Sequence, residues 1–274
     1  MARTAKARRE EIYHLALTRG LASVEELSDR FDVTPSTIRR DLALLDDEGK
    51  LARTYGGAVA ISANPEASLR QRVGVNFEQK TAIARHAASL VCPGETILLD
   101  GGSTVGALAH LLHELSPLHI VTPAINILLE FTEGTKVEID CLGGRLRPLS
   151  NSFVGPIAEA ALERMTFDRA FLGADAVTAK LGICEADHDQ IRLKELISRR
   201  AKEVYVLADA TKLGQMPFHS WGRLPLPWTL ITDNGVSEKT REEFENEGIA
   251  VHVVDGSCLP NSVIGAAGHS VRHE

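Results

Sequence analysis

The sequence predicts an α/β protein in which a small winged helix-turn-helix domain precedes a larger domain built on a largely parallel sheet. Three observations support this fold class. Capped helical segments and a glycine-closed hairpin occupy the first sixty residues. From residue 76 onward, short apolar segments alternate with helical ones, which favours a parallel sheet covered by helices. Between the two regions, residues 61–68 form a polar stretch with a proline, which is typical of a linker.

A chain of 274 residues is long enough for one large domain or two modest ones. We expect a helix-turn-helix head over residues 1–60, a linker over 61–75 and an α/β domain over 76–258. Residues 259–274 lose periodicity, so we expect a flexible tail there.

The head begins with a predicted helix over residues 5–18, which ends before Gly20. Ser23 and Glu26 have the spacing of a capping box, in which each side chain bonds the backbone N–H of the other. They predict a short second helix that runs through Phe31.

The third helix has the clearest start signal in the chain. Thr34 is a good N-cap. Pro35 suits the first helical position, because a backbone N–H at that position would have no partner within the helix and its absence costs nothing. Ile38, Leu42 and Leu45 follow at spacings of four and three, which gives the helix one apolar face.

Hydroxyl and arginine side chains lie off this apolar face, near the helix N-terminus. That is where a recognition helix meets base edges and phosphates, and the order of elements is that of a helix-turn-helix. Residues 51–59, with two glycines, predict a small β-wing. The candidate DNA-binding residues are Arg8, Arg9, Ser36, Thr37, Arg39, Arg40 and Arg53. The alternative is an ordinary three-helix bundle with a solvated basic face.

The net charge of −7 does not exclude DNA binding, because the charge is unevenly distributed. Residues 1–60 hold ten basic and ten acidic side chains, so the head is neutral and the remainder carries the negative charge. The basic residues of the head cluster in its arm, recognition helix and wing, and a local patch decides binding more than the sum. The acidic remainder is not expected to touch DNA.

The composition, with 44% hydrophobic residues, fits a globular protein. No apolar run approaches twenty residues and the N-terminus has no signal-peptide pattern, so we expect a cytoplasmic protein that does not contact membranes. The four cysteines are scattered without a C-x-x-C pair, which favours free thiols: Cys92, Cys141, Cys184 and Cys258.

Three histidines raise the question of a metal site. His110 and His113 have the spacing to share a helix face, and His119 follows, but no third ligand of matching spacing accompanies the pair. We therefore expect a solvated helix edge and no metal or other cofactor.

Seven strands and five helices are predicted in the second domain. The strands are 96–100, 119–122, 137–142, 169–173, 203–208, 229–232 and 250–254. The helices are 77–90, 105–115, 157–164, 190–200 and 238–247. Ligands of such sheets bind at the carboxyl ends of the strands, where loops meet helix N-termini.

Small, hydroxyl, aspartate or lysine residues follow five of these strands. In the Gly-Gly-Ser-Thr loop at 101–104, glycines let backbone N–H groups approach an anion, and hydroxyls and the helix dipole favour it further. Each turn alone is weak evidence, but together they predict one polar, phosphate-binding rim rather than unrelated tight turns. The candidate effector-binding residues are Asp100, Gly102, Ser103, Thr104, Thr122, Gly143, Gly144, Asp175 and Lys212.

Three segments of the head form a recognisable pattern: Thr-Ile-Arg-Arg-Asp-Leu at 37–42, Gly-Lys-Leu-Ala-Arg at 49–53 and Gly-Gly-Ala at 56–58. In these segments the head resembles that of the DeoR family of bacterial transcriptional regulators. Thr34 stands where many members carry serine, a change that keeps the cap.

Residues 77–212 are similar to the sensor domain of the same family, which in turn resembles ribose-5-phosphate isomerase A. The resemblance implies that Gly102, Ser103 and Thr104 hold a phosphate, that residues 173–175 line the sugar and that Asp209 precedes a substrate-contacting Lys212. The isomerase has a glutamate base upstream of that lysine. Residues 190–194 place no carboxylate there, since Glu195 falls late, so we expect binding without isomerisation.

One departure concerns ligand choice. Many family sensors carry Val-Thr-Asn at the second strand end, whereas this chain has Val121, Thr122 and Pro123. The amide is therefore missing at that position, and Asn126 is a candidate to replace it.

Together these features predict a repressor of a carbohydrate operon. We expect it to bind a pseudo-palindromic double-stranded operator as a homo-oligomer, under the control of a small phosphorylated effector. Two alternatives are a phosphosugar isomerase-like enzyme that carries a DNA-binding head and a constitutive architectural DNA binder with a vestigial pocket. The absent base argues against the isomerase-like enzyme. The rim of hydroxyls and lysine argues against the architectural DNA binder.

Overall fold

The computed structural model of the protein describes residues 5–19, 22–47, 51–54, 57–60, 66–113, 115–132 and 136–255. The chain forms two compact units, residues 1–67 and 68–274. None of the described helices is long and apolar enough to cross a membrane. The predicted tail over 259–274 lies outside the described residues.

The first unit contains three helices and a three-stranded antiparallel sheet. Its elements are α1 (Ala5–Arg19), β1 (Ala22–Ser23), α2 (Val24–Phe31), α3 (Pro35–Asp47), β2 (Leu51–Thr54) and β3 (Gly57–Ala60). The strand order is β1-β3-β2. The three predicted helices and the wing are confirmed, and β1 adds a short third strand to the wing.

The core of this unit uses the apolar faces that the sequence predicts. Its buried residues are Ile12, Val24, Leu27, Ile38, Leu42 and Leu45. The start of α3 is the predicted one, because the backbone N–H of Thr37 donates to Oγ1 of Thr34 at 3.3 Å. Pro35 occupies the first helical position.

The second unit is an α/β domain. Its helices are α4 (Leu69–Val73), α5 (Phe77–Ser89), α6 (Ser103–Leu111), α7 (Ile125–Glu130), α8 (Pro156–Leu162), α9 (His188–Arg200) and α10 (Glu238–Asn246). Its strands are β4 (Thr96–Leu99), β5 (His119–Thr122), β6 (Glu138–Cys141), β7 (Arg145–Arg147), β8 (Ser152–Val154), β9 (Phe167–Leu172), β10 (Ala176–Thr178), β11 (Gly182–Glu185), β12 (Ala201–Leu207), β13 (Ser220–Gly222), β14 (Thr229–Asp233) and β15 (Ala250–Val254).

The seven predicted strands form one parallel sheet in the order β15-β14-β12-β9-β4-β5-β6. From β4 the chain continues to β5 and β6 on one side, and from β9 it continues to β12, β14 and β15 on the other. The direction of strand addition therefore reverses between β4 and β9. Such a switch point opens a crevice beyond the carboxyl ends of the two strands, where open α/β sheets bind their ligands.

Helices cover both faces of this sheet. Along β4, Leu98 belongs to one buried cluster, while Ile97 and Leu99 belong to the other. This alternation follows the two-residue period of a strand whose two faces are both covered. The sheet is thus held rigidly between two apolar layers, and the loops at its carboxyl edge start from fixed positions.

Several short elements were not predicted. Residues 61–75 were expected to form a linker, yet α4 lies in this range and belongs to the second unit from Ser68 onward. The cause is visible in the cap of α4, where Ser68 and Gln71 form a reciprocal capping box. The hairpin β7–β8 and the small antiparallel sheet β10-β11-β13 are also additions.

Candidate functional site

The N-terminus of α3 presents a cluster of hydroxyl groups. Oγ1 of Thr34 lies 2.9 Å from Oγ of Ser36 and 2.9 Å from Oγ1 of Thr37. Arg39 and Arg40 follow on the exposed side of the helix. Three of the four side chains predicted for the front of this helix, Ser36, Thr37 and Arg40, therefore line one surface near its N-terminus, where the helix dipole favours an anion.

The sequence suggests that Arg8 and Arg9 contact DNA. In the structure both side chains contact Asp41. Nε of Arg8 donates to Oδ2 of Asp41 at 2.6 Å, and Nη1 of Arg9 lies 3.5 Å from Oδ1 of the same carboxylate. Asp41 is buried, so these contacts fasten α1 to α3. Arg8 and Arg9 thus hold the orientation of the helix, which is a structural role in addition to any phosphate contact.

The last predicted head residue is Arg53 in β2. The backbone of Arg53 pairs with Ala58 of β3, which places it in the wing, but its side chain lies outside the described residues.

In the second unit, a cavity lies at the switch point beyond β4 and β9. We call it the switch-point cavity. Its lining residues are Arg72, Gly101, Gly102, Ser103, Thr104, Ser150, Gly173, Ala174, Glu185, Gln190, Lys194 and Lys212. Four of them were predicted as effector-binding residues: Gly102, Ser103, Thr104 and Lys212.

The loop after β4 forms the start of α6 and one wall of this cavity. Gly102 is the N-cap residue, with φ of 122°, a conformation that L side chains rarely adopt. Ser103 and Thr104 begin the helix, and no side chain caps it. The first backbone N–H groups of α6 are therefore left for an anion, which the helix dipole also favours.

Three cationic side chains lie around this loop. Nζ of Lys212 donates to the carbonyl of Ala174 at 2.6 Å, and Nη1 of Arg72 donates to Oδ1 of Asp175 at 2.5 Å. Lys80 from α5 donates to the carbonyl of Arg72 at 2.7 Å. Together they concentrate positive charge beside the N-terminus of α6.

Burial is the largest cause of a lowered pKa for two of these cations, Lys80 and Lys212. Burial and the nearby charges of Lys212 and Arg72 lower the pKa of Lys80 from 10.5 to about 8, although Asp209 acts in the opposite direction. Burial is also the main cause of a lowered pKa for Lys212. Asp209, Asp175 and Glu185 act in the opposite direction on the pKa of Lys212, so the cations around this loop lie among carboxylates.

A second lysine lies deeper in the cavity, between two carboxylates. Nζ of Lys194 is 3.0 Å from Oδ2 of Asp100, donates to the carbonyl of Gly173 at 2.8 Å and bonds directly to Glu185. Oδ2 of Asp100 also accepts from the backbone N–H of Gly173 at 3.0 Å. This network joins the loops that follow β4 and β9, so it fixes the shape of the cavity floor.

The single positive charge of Lys194 faces two negative groups. Burial opposes charge on Lys194, but Asp100 and Glu185 outweigh it and raise its pKa. For Glu185, burial raises the pKa to about 8 despite the attraction of Lys194. The charge of Lys194 can therefore neutralise only one of the two carboxylates. Of Asp100 and Glu185, Glu185 is the carboxyl group that keeps its proton more readily.

Residues 190–194 were expected to place no carboxylate at the position of the isomerase base, but Glu185 brings a carboxylate into the cavity from another element. It comes from β11, a strand that was not predicted, and it lines the cavity. Glu195, which falls just after residues 190–194, accepts from the backbone N–H of Arg223 at 3.2 Å and does not line the cavity.

Five of the predicted effector residues do not line the cavity. Asp100 and Asp175 lie behind it, as partners of Lys194 and Arg72. Thr122 is fully buried, and its hydroxyl accepts from the backbone N–H of Ala124. Gly143 and Gly144 are part of the turn that leads into β7.

Gly144 is required in this turn for a steric reason. A Cβ on Gly144 would lie 2.8 Å from the carbonyl of Val154, so this glycine allows the close approach of two backbones in the β7–β8 hairpin. Asn126, the candidate substitute for the missing amide, lies in α7 and lines a groove that adjoins the switch-point cavity through Gly102 and Ser103.

The cavity residues that the sequence did not reveal come from α4, α9 and the unpredicted hairpins. Gln190 and Lys194 lie one helical turn apart in α9, a spacing that placed them on one face but gave no indication of which face met the cavity. Oε1 of Gln190 is buried and makes no hydrogen bond within the described residues, so it is an acceptor available to a ligand.

Comparison with known proteins gives the same division of the chain. Residues 8–64 match the DeoR-like helix-turn-helix domain, and residues 75–234 match the DeoR C terminal sensor domain. The chain is 35% identical over 250 residues to the HTH-type transcriptional regulator GlpR of Haloferax volcanii, which covers 91% of this chain and 97% of that protein. It is 31% identical over 243 residues to the lactose phosphotransferase system repressor of Lactococcus lactis subsp. lactis, covering 87% and 95%.

Among solved structures, ribose 5-phosphate isomerase A of Methanocaldococcus jannaschii aligns with a TM-score of 0.38 and 21% identity. The alignment covers 50% of this chain and 55% of that chain. A similarity this distant carries no argument about the site.

Proposed function

Because the chain belongs to the DeoR family of transcriptional regulators, we propose that it represses a carbohydrate operon and that a phosphorylated sugar in the switch-point cavity controls its affinity for the operator. The name of the Lactococcus relative, a lactose phosphotransferase system repressor, supports both the sign of regulation and the class of genes.

The observation that carries the choice of effector is the uncapped N-terminus of α6, with Lys212 lining the same cavity. A phosphate dianion would accept hydrogen bonds from the free backbone N–H groups at Ser103 and Thr104, and it would face the ammonium of Lys212. The polar groups deeper in the cavity, Gln190 among them, would receive the hydroxyls of the sugar. A neutral sugar would leave the backbone N–H groups at the start of α6 without an anionic acceptor.

The head residues divide into two roles in this proposal. Ser36, Thr37 and Arg39 would read base edges in the major groove, while Arg40 and Arg53 would contact phosphates. A single small head buries too little surface for specific binding at cellular salt concentrations, so two heads would bind the half-sites of a pseudo-palindrome. The repressor would accordingly act as a homo-oligomer.

The test is operator binding with and without phosphorylated sugars, measured for wild type and for Lys212→Ala. We expect the variant to bind operator like wild type but to lose the response to the effector, because a ligand shifts an equilibrium only through contacts that differ between states. The lost bond to the carbonyl of Ala174 should cost only about 1 kcal/mol of stability.

Lys239→Ala is the matched control, since Lys239 is an exposed lysine of α10 away from the cavity. It should keep the full response. A Lys212→Ala protein that still responds at the wild-type effector concentration would place the effector elsewhere.

Glu185 is the one observation that favours an isomerase-like activity, because it puts a carboxylate in the cavity. Its bond to Lys194 occupies that carboxylate, and the family consists of transcriptional regulators. We therefore expect no aldose–ketose interconversion of any phosphosugar that the protein binds. Turnover that disappears in Glu185→Gln would support the enzymatic alternative.

A further inference from the structure

Two histidines and a glutamate meet at the ends of two neighbouring helices, away from the switch-point cavity. His110 lies in the last turn of α6, His113 lies just beyond that helix, and Glu130 is the last residue of α7. The sequence spacing identified only the two histidines as possible metal ligands. The fold adds Glu130 as a third possible ligand, because α7 packs against α6.

We propose that His110, His113 and Glu130 form a binding site for a divalent transition metal ion of the Zn²⁺ class. One ligand atom from each residue lies within 4.8 Å of the other two. Nδ1 of His110 is 2.6 Å from Oε1 of Glu130, and Nε2 of His113 is 3.4 Å from the same oxygen. Imidazole nitrogen and carboxylate oxygen are common zinc ligands, with bonds of about 2.0–2.2 Å.

These separations are close to those that a metal imposes. Ligands on a tetrahedral ion at about 2.1 Å are roughly 3.4 Å apart. The distance from His113 to Glu130 already has this value, and the short contact of His110 would lengthen by a small rotation of an exposed ring.

The environment of His113 provides an independent reason. Its ring stacks on Phe131, with centroids 4.8 Å apart and planes at 21°, which fixes the direction of the ring. Nε2 of His113 is shielded from solvent and makes no hydrogen bond within the described part of the chain. A buried nitrogen without a bond is costly, and a metal ion would take its lone pair.

The ligand set selects the class of metal. Two imidazoles and one carboxylate suit zinc and its transition-metal neighbours, whereas calcium and magnesium prefer sites made wholly of oxygen. Three protein ligands leave at least one coordination position for water or another ligand. His110 and Glu130 also line the groove that Gly102 and Ser103 share with the switch-point cavity. A bound ion would therefore lie in a groove that adjoins this cavity.

The test is a titration of the metal-free full-length protein with ZnCl₂, followed by calorimetry, with Co²⁺ absorption as a second readout. We expect one ion per chain and a Co²⁺ spectrum of nitrogen and oxygen ligation without a thiolate charge-transfer band. His113→Ala and Glu130→Gln should each weaken binding at least about tenfold, since even the loss of an outer-shell partner has that effect.

His119→Ala is the matched control. His119 also contacts a carboxylate, with Nε2 at 3.0 Å from Oδ2 of Asp140, but this pair belongs to no three-residue group among the described residues. It should bind zinc like wild type.

Thermal unfolding separates loss of the site from loss of the fold. Zinc should raise the Tm of wild type and of His119→Ala, because an ion that binds only the folded state stabilises it, and it should not raise the Tm of the two ligand variants. Wild-type affinity in both ligand variants would overturn the proposal, as would a thiolate band that disappears when exposed Cys92 is replaced.

Discussion

Lys80 is the residue whose chemistry is most altered by the fold. It donates to the carbonyl of Arg72, is almost completely buried and has a pKa of about 8 because burial and two neighbouring cations disfavour its charge. An anion near these groups would reverse the effect of the two cations, since it favours the protonated form. Lys80 thus couples the proposed effector to pH.

We predict that effector affinity falls as the pH rises through about 8, because Lys80 then loses the charge that attracts the phosphate. Just below and around this pH, binding should be accompanied by proton uptake, which calorimetry in buffers of different ionisation enthalpy measures. Lys80→Met should bind more weakly and lose most of the pH dependence and the proton uptake in this range. An effector affinity that is constant between pH 7 and 9 in wild type would contradict the prediction.

Glu185 gives a prediction for stability. Its pKa is about 8 in the folded protein, against an ordinary value of 4.5, so the folded state binds more protons than the unfolded state between these limits. The free energy of unfolding should therefore decrease as the pH rises from about 4.5 to 8 through this group. Glu185→Gln should remove this contribution and flatten the profile of Tm against pH. A wild-type profile that matches that of the variant would show that Glu185 is ionised throughout the range.

At the level of single residues, the sequence predicted the cavity lining where adjacent residues form it. Gly102, Ser103 and Thr104 follow one another at a helix start, so their place beside the cavity follows from their order. Arg72 and Glu185 could not be found in this way. They reach the cavity from α4 and β11, and only the tertiary fold brings these elements to the switch point.

At the scale of secondary-structure elements, the head depends on how α1 is attached to α3. Arg8 and Arg9 from α1 converge on one buried carboxylate, that of Asp41 in α3. Arg39 and Arg40 of the same helix are exposed and belong to no ion pair with Asp41 in the described part of the chain. The two arginine pairs should therefore respond differently to substitution.

We predict that Asp41→Ala lowers the stability of the head by about 1–3 kcal/mol, because it removes the shared acceptor of two partly buried cations. Arg39→Ala should leave stability nearly unchanged but weaken operator binding by about 1–3 kcal/mol, the usual cost of a lost base contact. Thermal unfolding and operator titration distinguish the two effects. An Arg39→Ala protein with wild-type affinity and salt dependence would rule out Arg39 as a base-reading residue.

Sequence patterns identified elements that are long or periodic and missed those that are short. The seven strands of the main sheet and the five predicted helices of this unit are confirmed to within a few residues, because each is apolar or amphipathic over its length. Strands β7, β8, β10 and β13 have three residues each, too few to show a two-residue period. Helix α4 was hidden because a five-residue helix in a polar segment resembles a linker.

At the scale of the whole molecule, the position of the site follows from the strand order rather than from any motif. Apolar strands and intervening helices predict a parallel sheet, but the patterns do not determine which strands are neighbours. The pairing of β4 with β9, about seventy residues apart in sequence, is what brings residues 101–104 and 173–174 together. A cavity at this reversal is the general expectation for open α/β sheets, once the order is known.

The distribution of the cavity residues along the chain has a consequence for synthesis. The first unit is complete at residue 67, whereas Lys212 is made about 145 residues later. At roughly 5–20 residues per second, the ribosome needs about 7–30 s to cover that distance. During this interval the nascent polypeptide already contains its whole operator-reading segment but not the ammonium group that we propose senses the metabolite. A message truncated between these points would encode a product that no sugar phosphate can regulate through this cavity.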